Sequence, residues 1–163
     1  MQINTSIEQY NIKFGLKREK VRDILGEPFS IDIIKVSDHA DLECWTYDYH
    51  KIELIFDSEN YYRLSSISFA SKNVKFEGVA IIGLKEKKLL KKFPELYCQD
   101  EKDEIGYNYE YRGENLMFWV SDGIVKLLTV YEQPSSLNKP NNSILANNGF
   151  LSGRRSGAAK AGR

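Results

Sequence analysis

The chain is short of the residues that usually build catalytic and metal centres. Its 163 residues include only two histidines and two cysteines. Cys44 and Cys98 lie far apart, which is not the disulfide framework that staples small secreted domains. No HExxH, CxxC, GxSxG, P-loop or GxGxxG pattern occurs, so the common metalloprotease, redox, hydrolase and nucleotide signatures are missing. Long apolar runs are missing too. Val79-Ala80-Ile81-Ile82 is among the longest, far below the roughly 18 residues of a membrane helix. The opening MQINTSIEQYNIKFG has no basic start, no apolar stretch and no lipobox-like cysteine, so the expected location is cytoplasmic, with no membrane partner. An excess of charge is also absent: 23 Lys and Arg balance 23 Asp and Glu. That balance argues against nucleic acid as a partner, since its binders are clearly basic.

What is there is unevenly spread. After Glu132 come Lys139, Arg154, Arg155, Lys160 and Arg163 with no acid, so residues 1–132 keep 18 bases against 23 acids, a net of −5. The length suits one globular domain, expected at 1–132. The remainder, 133–163, is rich in Ser, Asn, Gly and Pro and reads as a flexible basic tail or an arm for an anionic surface.

Within the domain the sequence repeats. Asn11-Ile12-Lys13-Phe14 returns as Asn73-Val74-Lys75-Phe76, and Gly15-Leu16-Lys17 as Gly83-Leu84-Lys85. Further on, Asp41 matches Asp103, Tyr47 matches Tyr109, Tyr49 matches Tyr111, Leu54-Ile55-Phe56 matches Leu116-Met117-Phe118, and Phe69 matches Tyr131. Two repeats, about 11–69 and 73–131, are therefore expected. Each starts with a short amphipathic helix: Val21, Ile24 and Leu25 recur at helical spacing, and Gly26-Glu27-Pro28 closes the run. Three strands follow: Trp45 to Tyr49, Ile52 to Phe56 and Leu64 to Phe69, with Asp122-Gly123 marking a hairpin in the second copy. One copy buries little, so the expected fold is α+β: two helix-plus-meander repeats sharing one curved antiparallel sheet of six or more strands, with the helices on one face.

The candidate chemistry is sparse. Asp38, His39 and Asp41 are candidate metal ligands but lie in a polar loop, which supplies no rigid spacing. His39 with Cys44, or His50 with Cys98, are the available nucleophile pairs, and the sequence places no orienting group beside either. Neither metal nor cofactor is expected. Aromatics are the stronger lead, with ten Tyr, eight Phe and two Trp. Trp45, Tyr47 and Tyr49, with Tyr107, Tyr109 and Tyr111, share one strand face. That face is either the core under the helices or a surface of interface anchors. Tyr61-Tyr62 and Trp119 extend the candidate surface. Acids gather in two equivalent loops, Asp38, Asp41 and Glu43 in one, and Asp100, Glu101, Asp103 and Glu104 in the other. They are either solvated loop charges or a patch that steers a basic partner.

The stretch from Gly15-Leu16-Lys17-Arg18-Glu19-Lys20-Val21 to Leu25-Gly26-Glu27-Pro28, with the aromatic hairpins after it, resembles the repeat of beta-lactamase-inhibitory-protein-like folds. It also looks like the small outer-membrane lipoprotein A family. A tandem unit of this kind, acidic and without catalytic groups, is similar to bacterial immunity proteins of contact-dependent growth inhibition systems. That resemblance implies a non-enzymatic protein that neutralises a basic cognate toxin, a nuclease, in a 1:1 complex. The lipoprotein resemblance implies an envelope-assembly module instead, and a small hydrolase using His39 or Cys44 is the third alternative.

Overall fold

A computed structural model of the chain describes residues 3–4, 12–98, 105–111 and 115–132. The expected tail at 133–163 and the acidic loop Asp100, Glu101, Asp103 and Glu104 lie outside the described residues. The fold is α+β. Two helices, α1 (Arg18–Leu25) and α2 (Glu86–Lys92), accompany one large antiparallel sheet and a small one. The large sheet contains β2 (Ser30–Lys35), β3 (Asp41–Tyr47), β4 (Ile52–Asp57), β5 (Arg63–Phe69), β8 (Leu96–Cys98), β9 (Tyr107–Tyr111), β10 (Leu116–Ser121) and β11 (Ile124–Tyr131). Their order across it is β2-β3-β4-β5-β11-β10-β9-β8. The small sheet joins β1 (Ile3–Asn4), β6 (Lys75–Phe76) and β7 (Val79–Ala80).

The order reads the same from either edge: one helix and four strands on each side, meeting where β5 pairs with β11. At that seam Ser68 faces Thr129, and their buried hydroxyls lie 2.8 Å apart. Each helix is tied to its own half in the same way. Gly15 N–H donates to the Leu64 carbonyl and Leu64 N–H to that of Leu16; Gly83 and Leu84 make the same pair of bonds with Val125.

Helix amphipathicity and strand alternation put one set of side chains between helices and sheet. Val21 of α1 and Leu89 of α2 join Trp45, Leu54, Phe56, Phe69, Phe118 and Leu128 in a single core. Phe76 packs into it tilted against Phe93 and edge-on to Phe118 and Tyr111. Among the described residues neither helix reaches the opposite sheet face, where Leu42, Cys44 and Ile55 form a smaller cluster.

Several expectations need correcting. The first aromatic strand ends at Tyr47, and Tyr49 sits 92% exposed in the turn before β4, because the chain must reverse before Ile52 can pair with Tyr47. Two further strands, β2 and β8, extend the sheet to eight. With β2 in place, Asp38 lies in the bend between β2 and β3, and Asp41 and Glu43 in β3, rather than in a helix-to-strand loop. The register of β4 with β5 shifts after Ile55 and that of β10 with β11 after Trp119, an extra residue lying in β5 and in β11; Leu54 lies opposite Trp45 and Phe118 opposite Tyr109.

Gly106 shows how tightly the second half is closed. Its φ is +147°, and a Cβ there would lie 2.6 Å from both the Trp119 ring and the Val120 carbonyl oxygen. The ring has little room to move and the carbonyl belongs to β10. Gly106→Ala is expected to cost about 2–4 kcal/mol through strain and clash. Urea denaturation followed by tryptophan fluorescence checks this; an unchanged midpoint would contradict the packing.

Candidate partner-binding surface

The aromatic strand face proves to be largely interior. Trp45 is 1% exposed and Tyr47 and Tyr109 are 4% exposed each, so none of the three offers an open anchor. Their polar atoms are absorbed locally. The Trp45 indole donates to Glu43 at 3.1 Å, and the Tyr47 hydroxyl donates to the Gly26 carbonyl at the end of α1 at 3.1 Å. In the second half one carboxylate, Glu86 in the first turn of α2, accepts from Tyr107 at 2.7 Å and Tyr109 at 2.6 Å. Tyr111 donates to Glu95. Tyrosine is tolerated on this core-facing row because acids beside the helices receive its hydroxyls. Trp119 lies on the opposite face, 8% exposed under Gly106.

On the helix-free face a row that is polar at every strand but β10 crosses the sheet, from Ser30 to Tyr97 through Thr46, Glu53, Ser68, Thr129, the apolar Met117 and Glu110. Tyr97 donates to Glu110 within it. Burial, opposed by a contact with Cys44, pushes the Glu53 carboxyl up to about 7. Cys44 is 2% exposed, and burial followed by the charge of Glu53 pushes its thiol up to about 12. At neutral pH it is a thiol, not the thiolate a nucleophile requires. His39 is exposed in the β2–β3 turn; His50 packs edge-on against Tyr49, in the turn between β3 and β4, while Cys98 lies on the edge strand β8. Among the described residues no three His, Cys, Asp or Glu side chains gather as a metal site requires.

Of the predicted acids, the first cluster, Asp38, Asp41 and Glu43, lies at the same end of the sheet as the tyrosine pair. Antiparallel order brings the β2–β3 turn, with Asp38, beside the β4–β5 turn, with Glu59, Tyr61 and Tyr62. The Asp41 N–H donates to Ser58 Oγ at 2.9 Å and binds the two turns together. Asp57 caps the short helical turn Ser58–Asn60, accepting from the Glu59 N–H at 2.8 Å. Tyr61 and Tyr62 follow with φ of +53° and +51°. Two successive non-glycine residues in the left-handed region cost of order 1–3 kcal/mol each and persist only when their surroundings hold them.

Tyr62 is the held member. Its hydroxyl donates to Asp41 at 2.7 Å, a bond that raises it above the ordinary tyrosine value. Arg18 lies 4.2 Å over its ring and pairs with Glu43. Tyr61 is the free member, 85% exposed. A shallow cavity of about 460 Å³ runs along the pair, lined also by Lys17, Arg18, Glu19 and Arg63. Of the three predicted acids, Asp41 also meets Lys35 at 3.7 Å and Glu43 is taken up by Arg18 and Trp45, so both position other groups. Asp38 and Glu59, both exposed, supply the outward charge. Asp57 and Glu59 were not among the sequence candidates, although Asp57-Ser58-Glu59-Asn60 reads as an acidic turn directly before the tyrosines.

No known protein-family profile matches the chain, and no curated protein matches it. Among solved structures, an extracellular protein containing an SCP domain from Bacillus anthracis str. Ames aligns with a TM-score of 0.45 at 12% identity, over 80% of this chain. The chain spans 46% of that protein's length, and a likeness this low assigns neither fold family nor function. Among the described residues no helix is long and apolar enough to cross a membrane.

The buried Glu53 makes stability depend on pH. In the fold its carboxyl stays protonated up to about 7, whereas unfolded it ionises from about 4.5. Its contribution is therefore unchanged below the lower value and is lost as pH rises to the upper one, by about 3 kcal/mol. Glu53→Gln is expected to flatten that dependence and stabilise the protein at high pH; urea midpoints measured on both sides of the window check it. Identical pH profiles for variant and parent would contradict it.

Proposed function

We propose that the protein is an immunity-type inhibitor that binds one toxin domain per chain, with the carboxylate-and-tyrosine end of the sheet as its docking surface. The observation that carries this reading is Tyr61. Its backbone is strained, its neighbour Tyr62 is held by Asp41 and Arg18, and its own ring is left in solvent. Such a pre-formed aromatic loses little side-chain freedom when a partner covers it. The exposed Asp38 and Glu59 at the same end of the sheet attract a basic partner, consistent with the −5 balance of residues 1–132. A nuclease, whose active site must be basic to hold a polyanion, fits that charge. The strand order, symmetric about β5 and β11, supports the finer reading of the fold as a tandem duplication. A cytoplasmic location follows from the same role, because a nuclease must be met where its substrate is.

Co-expression with the toxin domain encoded beside its gene tests the proposal. Cells are expected to survive only with the inhibitor, and the purified pair to form a complex of one toxin per chain. Equal lethality with and without the protein would overturn it. Tyr61→Ala is expected to weaken the complex by ~30-fold, the effect of removing an interface anchor. Asp38→Asn with Glu59→Gln is expected to slow association at low salt and leave dissociation unchanged. Stopped-flow binding separates the two effects.

A further inference from the structure

An antiparallel sheet with one face in water alternates along its strands, apolar side chains inward and polar ones outward. The edge strand β2 alternates in exposure in this way. The inner strands do not. β10 is buried at five successive positions, Leu116 to Val120, and β3, β4, β5 and β11 are each buried at three or more in a row. Both faces of these strands are therefore sealed. α1, α2 and Phe76 of the small sheet all pack on one of them. On the other, Ile55 is 3% exposed, Leu127 6%, Trp119 8% and Met117 9%, with no described element over them. Two polar atoms on the same face, Ser66 Oγ and Trp119 Nε1, are buried without a hydrogen-bond partner among the described residues. Burying such groups is costly unless whatever shuts out water also brings them partners.

We infer that residues 133–163 turn back from Glu132 and cover the helix-free face of the sheet. The segment starts in the right place. β11 is a central strand, the Glu132 N–H donates to the Ser65 carbonyl of β5 at 2.8 Å, and Tyr131 lies on the helix-free face opposite Ser66. Burial, then the charge of Glu110, pushes the Tyr131 hydroxyl up to about 12, so this face is already dry where the segment begins. From β11 the strands β3 and β8 are each three places away, about 15 Å at the spacing of paired strands. A segment as long as 133–163 spans several times that distance. The other stretches outside the described residues do not fit. Residues 99–104 and 112–114 join β9 to its neighbours and are too short to reach β3, and 5–11 lead from the small sheet to Ile12, both on the helix-bearing side. The chemistry of 133–163 suits the face as well. Leu137, Ile144, Leu145, Phe150 and Leu151 stand among asparagines and serines. The apolar side chains match Ile55, Met117 and Leu127, and amide or backbone carbonyls accept from the Trp119 indole. With five bases and no acid, the segment brings no like charge to Glu53 and Glu110.

Photo-crosslinking of the full chain, with benzoylphenylalanine in place of Phe150, tests the cover. Irradiation is expected to join position 150 to peptides carrying Met117, Trp119 or Leu127 of the same chain, read by mass spectrometry after proteolysis. Cross-links confined to the helix-bearing face, or none to the sheet, overturn the inference. Cross-links that form only between chains assign the face to a second copy and overturn it too. A second measurement reads the face directly. Phe150→Asp with Leu151→Asp, in the full chain, is expected to speed oxidation of the Met117 thioether by hydrogen peroxide ~10-fold, as its cover opens, with an unchanged circular dichroism spectrum. An unchanged rate of Met117 oxidation would mean that something other than this segment seals the face.

Discussion

Four strands and one helix of seven or eight residues have too little apolar surface to offset the entropy of ordering them. The pairing of β5 with β11 resolves this for both halves at once. It converts two edges into an interior seam and places Phe69 and Ile67 beside Leu128 and Val130 over one shared core. The seam is polar on its other side, where Ser68 and Thr129 satisfy each other. A mismatched residue at either place would leave a buried hydroxyl without a partner, which costs more than the hydrogen bond contributes. Register at the centre is thereby specified from both faces of the sheet.

The same seam sorts surface from interior. Because both helices lie on one face, the aromatic rows of β3 and β9 are needed as core, and their hydroxyl and indole groups are received by Glu43, Glu86, Glu95 and the Gly26 carbonyl. In the proposed function, recognition falls to the strand connections. At the β2–β3 and β4–β5 turns the backbone is strained and the exposed side chains are acids and Tyr61.

Much of the architecture was legible because repetition and alternation are local signals. The return of Gly15-Leu16-Lys17 as Gly83-Leu84-Lys85 marks two stretches that make the same backbone bonds to the sheet. The Asp122-Gly123 turn, with φ of +54° and +68°, is where the dipeptide places it. Ser30-Ile31-Asp32-Ile33 also alternates, yet as an edge strand it lacks the strong burial contrast that marks a strand, and three-residue β8 is too short for any periodicity. The candidate site was legible in its acids and its tyrosine pair, but not in their partition. Asp38 and Tyr61 reach solvent while Asp41, Glu43 and Tyr62 are spent on one another, because the pairing of β2, β3 and β4 brings distant turns side by side.

By itself the sequence determined what each segment must bury and how charge divides along the chain, with an acidic run to Glu132 and a basic one after it. Those follow from side-chain chemistry and from periods of two and three to four residues, which need no knowledge of neighbours. Only the tertiary structure decided which tyrosines are core and which are surface, and where the acids of the first half meet. Each depends on which strand lies beside which, and strand adjacency is set by contacts between residues far apart in the chain.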